Sequence, residues 1–146
     1  MRVCGVEINN SEAIICLLSL DGEVFNVPDC RARSISLRNA TDTQAIREFH
    51  FAFDKLMQDY QVDEVVIISR ALKGKFAGSA ATFKMETAIQ LGSKPATVFS
   101  MNDAKEQLKR NPPQVDFEGL ELRRIQKPAF EIAYGFLNFK RYGKQD

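Results

Sequence analysis

VCGVEIN, residues 3–9, is the stretch on which the fold turns. Small and β-branched residues run almost from the start of the chain, the composition of a buried strand. One carboxylate, Glu7, stands among them. A charge buried without a partner is costly, so Glu7 calls for a cation nearby. NNS (9–11) follows as a turn signal, and EAIICLLSL (12–20) reads as a second, longer strand. The two form a hairpin. Asp21-Gly22 is another strong turn signal, which predicts a third strand over EVFNV (23–27).

Beyond this meander the period changes. RSISLR (33–38) alternates Ser34 and Ser36 against Ile35 and Leu37; it either extends the third-strand edge or forms a separate short strand. Thr41 and Gln44 have the spacing of a capping box. Ile46, Phe49, Phe53, Leu56 and Tyr60 then recur every three or four residues, predicting an amphipathic helix over 42–60. VDEVVIIS (62–69) has a continuous apolar core, as in a strand covered on both faces. Residues 70–78 read as a basic, Gly-containing loop. A helix is expected from about Ser79 to Gly92, with Gly92 as its C-terminal cap. ATVFSM (96–101) reads as a strand. Ser100 or Asn102 caps a helix over 103–110, which stops before Pro112-Pro113. Residues 111–127 are irregular and charged. Pro128 suits the first turn of a last helix carrying Phe130, Ala133, Tyr134, Leu137 and Arg141. A meander followed by βα units implies one α/β domain over 1–146: a three-strand antiparallel meander plus parallel strands in a mixed sheet, with helices on both faces.

The chain has 146 residues, 45% apolar and 27% charged, with a net charge of +1. These values fit a globular protein with its own core and confine any anion-binding surface to a local patch. No apolar run is long enough to cross a bilayer, and the N-terminus does not read as a secretory signal. Cys4, Cys16 and Cys30 are odd in number and widely spaced, which reads as reduced thiols in a cytoplasmic protein. With one His and no Cys pair, zinc is not expected. His50 lies mid-helix and no GxSxG occurs, which argues against a serine triad.

Four strings resemble the ribonuclease H-like superfamily, in particular its RuvC resolvase-like branch. VCGVEINN stands where that family has its opening strand, with an acid in the middle and a turn directly after. SRALKGKFAGSAATFKMETAIQL resembles the loop and long helix after the family's fourth strand. KPATVFSMNDAKEQLKR resembles the next strand and helix, and KPAFEIAYGFLNF the last helix. The sequence is also similar to a small uncharacterised bacterial family within that superfamily.

The resemblance implies magnesium-dependent nuclease chemistry. Acids from the first strand, the end of the fourth strand and the last helix would bind two metal ions, one activating water and one stabilising the leaving oxygen. Glu7 takes the first-strand position and Glu131 the last-helix position, as catalytic and metal-binding candidates; both are Glu where the family has Asp. The fourth-strand position falls on Ser69 or Arg70, neither of them an acid. Asp63 and Glu64 lie at the far end of that strand, about 15–20 Å away at about 3.3 Å per residue. Glu86 on the following helix is the remaining stand-in. Glu7 is therefore either a metal ligand or the ion-pair partner of Arg70. Glu131 is either a ligand or an acid complementing a helix dipole.

Arg70, Lys73 and Lys75 gather just ahead of a helix start at Ser79, with Gly74 and Gly78 allowing close backbone approach. Together with Ser79 they form a candidate phosphate or nucleic-acid corner; without that role they are a solvated loop. Lys109-Arg110 and Arg123-Arg124-Lys127 form a second basic group, diluted by Asp116, Glu118 and Glu121, and read better as solvated surface. The phenylalanines read as core, except Phe51, which lies off the helix stripe. The missing third acid favours a non-catalytic nucleic-acid or phosphate-binding domain over an active nuclease. A third reading is a protein-interaction module, such as a homodimer formed through a sheet edge or a helix.

Overall fold

The computed structural model describes residues 1–75, 77–114, 117–120 and 122–143. The expected meander is present. Strand β1 (Arg2–Asn9) pairs antiparallel with β2 (Glu12–Asp21), from Arg2 opposite Ser19 to Asn9 opposite Glu12. Asn10 turns the hairpin with φ of 54°, a left-handed conformation that Asn tolerates better than most residues. β3 (Val24–Asn26) pairs with the last residues of β2. The stretch at 33–38, open between two readings, forms a separate strand, β4 (Ser34–Ser36), on the same outer edge of β2 but at its beginning. Two short strands thus share one long edge.

Helix α1 (Thr43–Asp59) leads to β5 (Glu64–Ile68), α2 (Ala80–Gln90), β6 (Ala96–Phe99), α3 (Met101–Arg110) and α4 (Lys127–Tyr142). The sheet order is β3-β2-β1-β5-β6, with β4 also on β2; β1, β5 and β6 are mutually parallel neighbours. Alternation decides which residue meets which helix. Cys4, Val6, Ile8, Ile15, Leu17, Val65 and Ile67 face α1 and α2; Val3, Cys16, Leu18, Val66 and Ile68 face α4, with α3 packed beside it. The continuous VVII run is needed because its alternate residues serve different layers. No described helix is long and apolar enough to cross a membrane.

Two caps differ from expectation and a third resolves an alternative. Asp42, not Thr41, caps α1: its carboxylate accepts from the Ala45 N–H at 3.1 Å, while the Thr41 hydroxyl donates to Asn39. Of the two candidates for α3, Ser100 is the cap, accepting from the N–H groups of Asn102 and Asp103. Gly92 follows the C-cap Leu91 but is not a left-handed cap, since its φ is not positive. Gly92 instead leaves room for the Asp54 carboxylate: a Cβ there would lie 2.9 Å from Asp54 Oδ1 and 3.1 Å from the Ile89 carbonyl oxygen. The 111–127 connection contains two short 3-10 turns, 117–119 and 124–126. Buried Gln126 donates its amide to the Ile15 carbonyl at 2.9 Å and so ties the entry of α4 to β2.

Gly5 fixes the geometry around Glu7. A Cβ at Gly5 would lie 2.0 Å from the Ala129 carbonyl oxygen and 3.0 Å from Ala133 Cβ. Only glycine lets α4 cross β1 this closely. Gly135 does the same for the α3–α4 contact, where a Cβ would fall 2.6 Å from Ala104 Cα.

Candidate functional site

Glu7 shares the α4 face of β1 with Gly5, two residues and about 7 Å further along. Its β2 partner is Ile14, and the parallel register places Ile67 beside Val6. The chain leaving β5 therefore runs alongside the end of β1. Arg70, two residues beyond β5, reaches back across this gap. Its Nη2 stands 3.4 Å from Glu7 Oε2 and donates to the Ile8 carbonyl at 3.3 Å. The two side chains are 33% and 17% exposed, so the pair is partly shielded from water. Of the two readings of Glu7, the structure brings Arg70, not a second acid, to its carboxylate. The Ile8 carbonyl is a further partner with no sequence signal, because every residue carries one.

Glu131 is the fifth residue of α4, two after Ala129 and beyond the first turn, which holds no acid to complement the helix dipole. At about 100° per residue it leaves the helix about 200° around from the side that meets Gly5. It is not on the strip that packs against β1. Asp63 and Glu64 hold the opposite end of β5, where Asp63 accepts from the Arg2 N–H and Glu64 pairs with Lys140. Glu86 is on α2, which covers the other face of the sheet; burial pushes its carboxyl pKa up, and it does not stand in for the missing acid beside Glu7. Paired magnesium ions need several converging oxygens. Among the described residues no group of three or more His, Cys, Asp and Glu side chains is placed to hold a metal. With a guanidinium on Glu7 as well, these residues do not fit a two-metal centre.

The basic loop is partly used internally. Ala71 and Ala77 form an isolated parallel bridge, the Gly78 N–H donates to the Ala71 carbonyl at 2.9 Å, and Gly74 turns the loop with φ of 100°. Leu72, Lys73 and Lys75 are exposed around this turn. Ser79 caps α2 in a reciprocal box with Thr82: the Thr82 N–H donates to Ser79 Oγ and the Ser79 N–H donates to Thr82 Oγ1, both at 3.2 Å. The Ser79 hydroxyl is thus committed to its own helix, with Thr82 in the place where the capping-box signature has Glu or Gln.

The second basic group is spread out. Lys109 and Arg110 sit in the last turn of α3, where cations complement the helix dipole, and Arg110 pairs with Glu106. Arg123 and Arg124 belong to the turn before α4. Asp116 and Glu121 lie outside the described residues. Phe51 is exposed, whereas Phe49, Phe53, Phe130 and Phe136 are core.

The same fold occurs in solved structures. The Thermus thermophilus RuvC structure superposes with a TM-score of 0.76 over 98% of this chain and 97% of that one, at 12% identity. T. thermophilus RuvC in complex with a Holliday junction substrate gives 0.67 over 98% and 96%, at 10% identity. The complex of Fowlpox virus resolvase with substrate Holliday junction DNA gives 0.53 over 99% and 100%, at 12% identity. The architecture is ribonuclease H-like, of the RuvC kind. At such identities the likeness is one of fold. No curated protein matches the chain in sequence. A family model described as a protein of unknown function, DUF3010, matches residues 1–136.

Proposed function

The chain belongs to the DUF3010 family, and on that premise we propose that it is a non-catalytic nucleic-acid-binding domain of ribonuclease H-like fold. The observation that carries this reading is the Arg70 guanidinium 3.4 Å from the Glu7 carboxylate. A fixed cation there neutralises the acid and repels a divalent ion, so the corner keeps its shape without metal. Lys73 and Lys75, exposed on the turn next to it, supply charge for a phosphate backbone. Arg70 anchors the base of that loop, and Ser79 sets the direction of the helix start behind it. Similar folds are described in complex with Holliday junctions, which makes a four-way DNA junction the first ligand to test.

Fluorescence anisotropy with labelled four-way, duplex and single-stranded DNA, in the presence of EDTA, is the direct test. Binding is expected to weaken with salt. Lys73→Glu/Lys75→Glu should lower affinity at least about tenfold and reduce the log–log salt slope by about 2, at about 0.9 per phosphate contact. Salt-insensitive binding, or none, would remove the nucleic-acid assignment. The same DNAs incubated with magnesium or manganese should stay intact. Cleavage that disappears in Glu7→Gln or Glu131→Gln would overturn the non-catalytic reading.

A further inference from the structure

A second concave site lies away from the Glu7 corner. A cavity of about 390 Å³ opens between the β2–β3 hairpin, the segment after α3 and the second half of α4, within the size range of small-molecule sites. One wall is aromatic. The rings of Phe25 and Tyr134 are 4.8 Å apart, and Phe130 stacks on Tyr134 at 6.0 Å. Tyr134 is held in place because its hydroxyl donates to the Asn111 carbonyl at 2.8 Å. Asn138, only 2% exposed, donates its amide to the Tyr134 carbonyl at 2.9 Å, which fixes a polar group in the wall.

The charges of this cavity are unequal in their commitment. Arg141 is the one cation among its described lining residues and Glu23 the one acid. They pair at 2.8 Å, but the Arg141 side chain is 26% exposed and that of Glu23 is 87% exposed. A partner so open to water is held weakly. The guanidinium lies over the Tyr142 ring, 5.2 Å from its centroid, and its counter-ion is displaceable. We propose that this cavity binds a small planar aromatic anion, its ring against Phe25 and Tyr134 and its acidic group replacing Glu23 on Arg141. An aromatic wall selects a ring, and the one cation among the described lining residues selects an anion. The site requires neither Glu7 nor the basic loop, so it stands or falls separately from the nucleic-acid assignment.

The test titrates the full chain with naphthalene-1-sulfonate and, in parallel, with naphthalene-1-sulfonamide, the same planar arene with a neutral group. One sulfonate should bind per chain and shift the backbone amide signals of Asn26, Asn111, Tyr134 and Asn138. Glu23→Gln should tighten it about two- to fivefold and Arg141→Gln weaken it at least about fivefold, with Arg141→Lys between, while the neutral arene changes less than about twofold. Glu23 is exposed, so its variant remains informative if the Arg141 variants fold poorly. No sulfonate binding, equal affinity in Glu23→Gln and wild type, or shifts confined to other residues would overturn the proposal. Neutral arene bound as tightly as the sulfonate would overturn its anionic half.

Discussion

On the face covered by α1 and α2, the sheet meets large side chains: Phe49, Phe53, Leu56, Met57 and Met85 fill the layer against Val6, Ile15 and Ile67. On the face covered by α4, the crossing over β1 is made by small residues, Gly5 against Ala129 and Ala133, and α4 meets α3 in the same way through Gly135 against Ala104. Ile132, Phe136 and Leu137 fill the rest of the α4 layer against Val3, Leu18 and Val66, so the two layers differ at this crossing, where small residues replace side-chain volume. The difference matters for function. The tight crossing puts the backbone of α4 almost on β1, and the charged corner and the aromatic cavity flank it on the same face. Glu7 lies just past the crossing, and Tyr134, Asn138 and Arg141 lie along the other end of the helix.

The contrast is tested most severely by removing volume on one face and adding it on the other. Phe49→Ala, a fully buried ring, is expected to cost about 3–5 kcal/mol, read from urea unfolding. Gly5→Ala adds one methyl where only 2.0 Å is available. It should cost about 3 kcal/mol or cause a local shift of α4; a cost below about 1 kcal/mol would mean that the crossing is not tight. Next in size comes the corner beyond it. Glu7→Gln removes the charge that answers Arg70 while keeping an acceptor oxygen, and should cost about 1–2 kcal/mol, the pair being partly exposed.

Ser79→Ala should cost about 1 kcal/mol of stability, the usual value of an N-cap. It should leave DNA affinity nearly unchanged, because the hydroxyl already bonds Thr82. A loss of affinity comparable to that of Lys73→Glu/Lys75→Glu would give Ser79 a direct ligand role. The smallest effect is pH-dependent. Burial pushes the Asp54 carboxyl up, but the N–H and hydroxyl of Ser93 and the amide of Gln58 outweigh it and hold its pKa below the usual value. A depressed carboxylate contributes stability above its unfolded pKa, about 3.9, and loses it as pH falls through the folded value. The stability gap between wild type and Asp54→Asn, measured by urea unfolding at pH 6 and pH 3, should therefore narrow at the lower pH.

Much of this architecture is legible along the chain. Strand and helix positions followed from periods of 2 and 3.6, and the ribonuclease H-like order followed from the sequence of elements. The exceptions have physical causes. RSISLR alternates as a strand whichever edge it joins, so its place beside the start of β2 was not encoded locally. Thr41 and Gln44 have the spacing of a capping box, but Asp42 is the one that accepts from the helix. Gly92 reads as a helix stop yet serves to admit Asp54.

Local spacing by itself determined the order of elements, the burial of VCGVEIN and the need for a cation near Glu7, because strand alternation, helix period and the cost of a buried charge are properties of neighbouring residues. The fold resemblance left a metal or Arg70 as the cation that answers Glu7, and only the tertiary structure chose between them. Arg70 is 63 residues away and arrives through the parallel register of β1 and β5. The same holds for Glu23 and Arg141, 118 residues apart, which meet because a hairpin at one end of the chain and a helix at the other enclose one cavity. Pairings of this kind are set by packing across the sheet, and no local pattern records them.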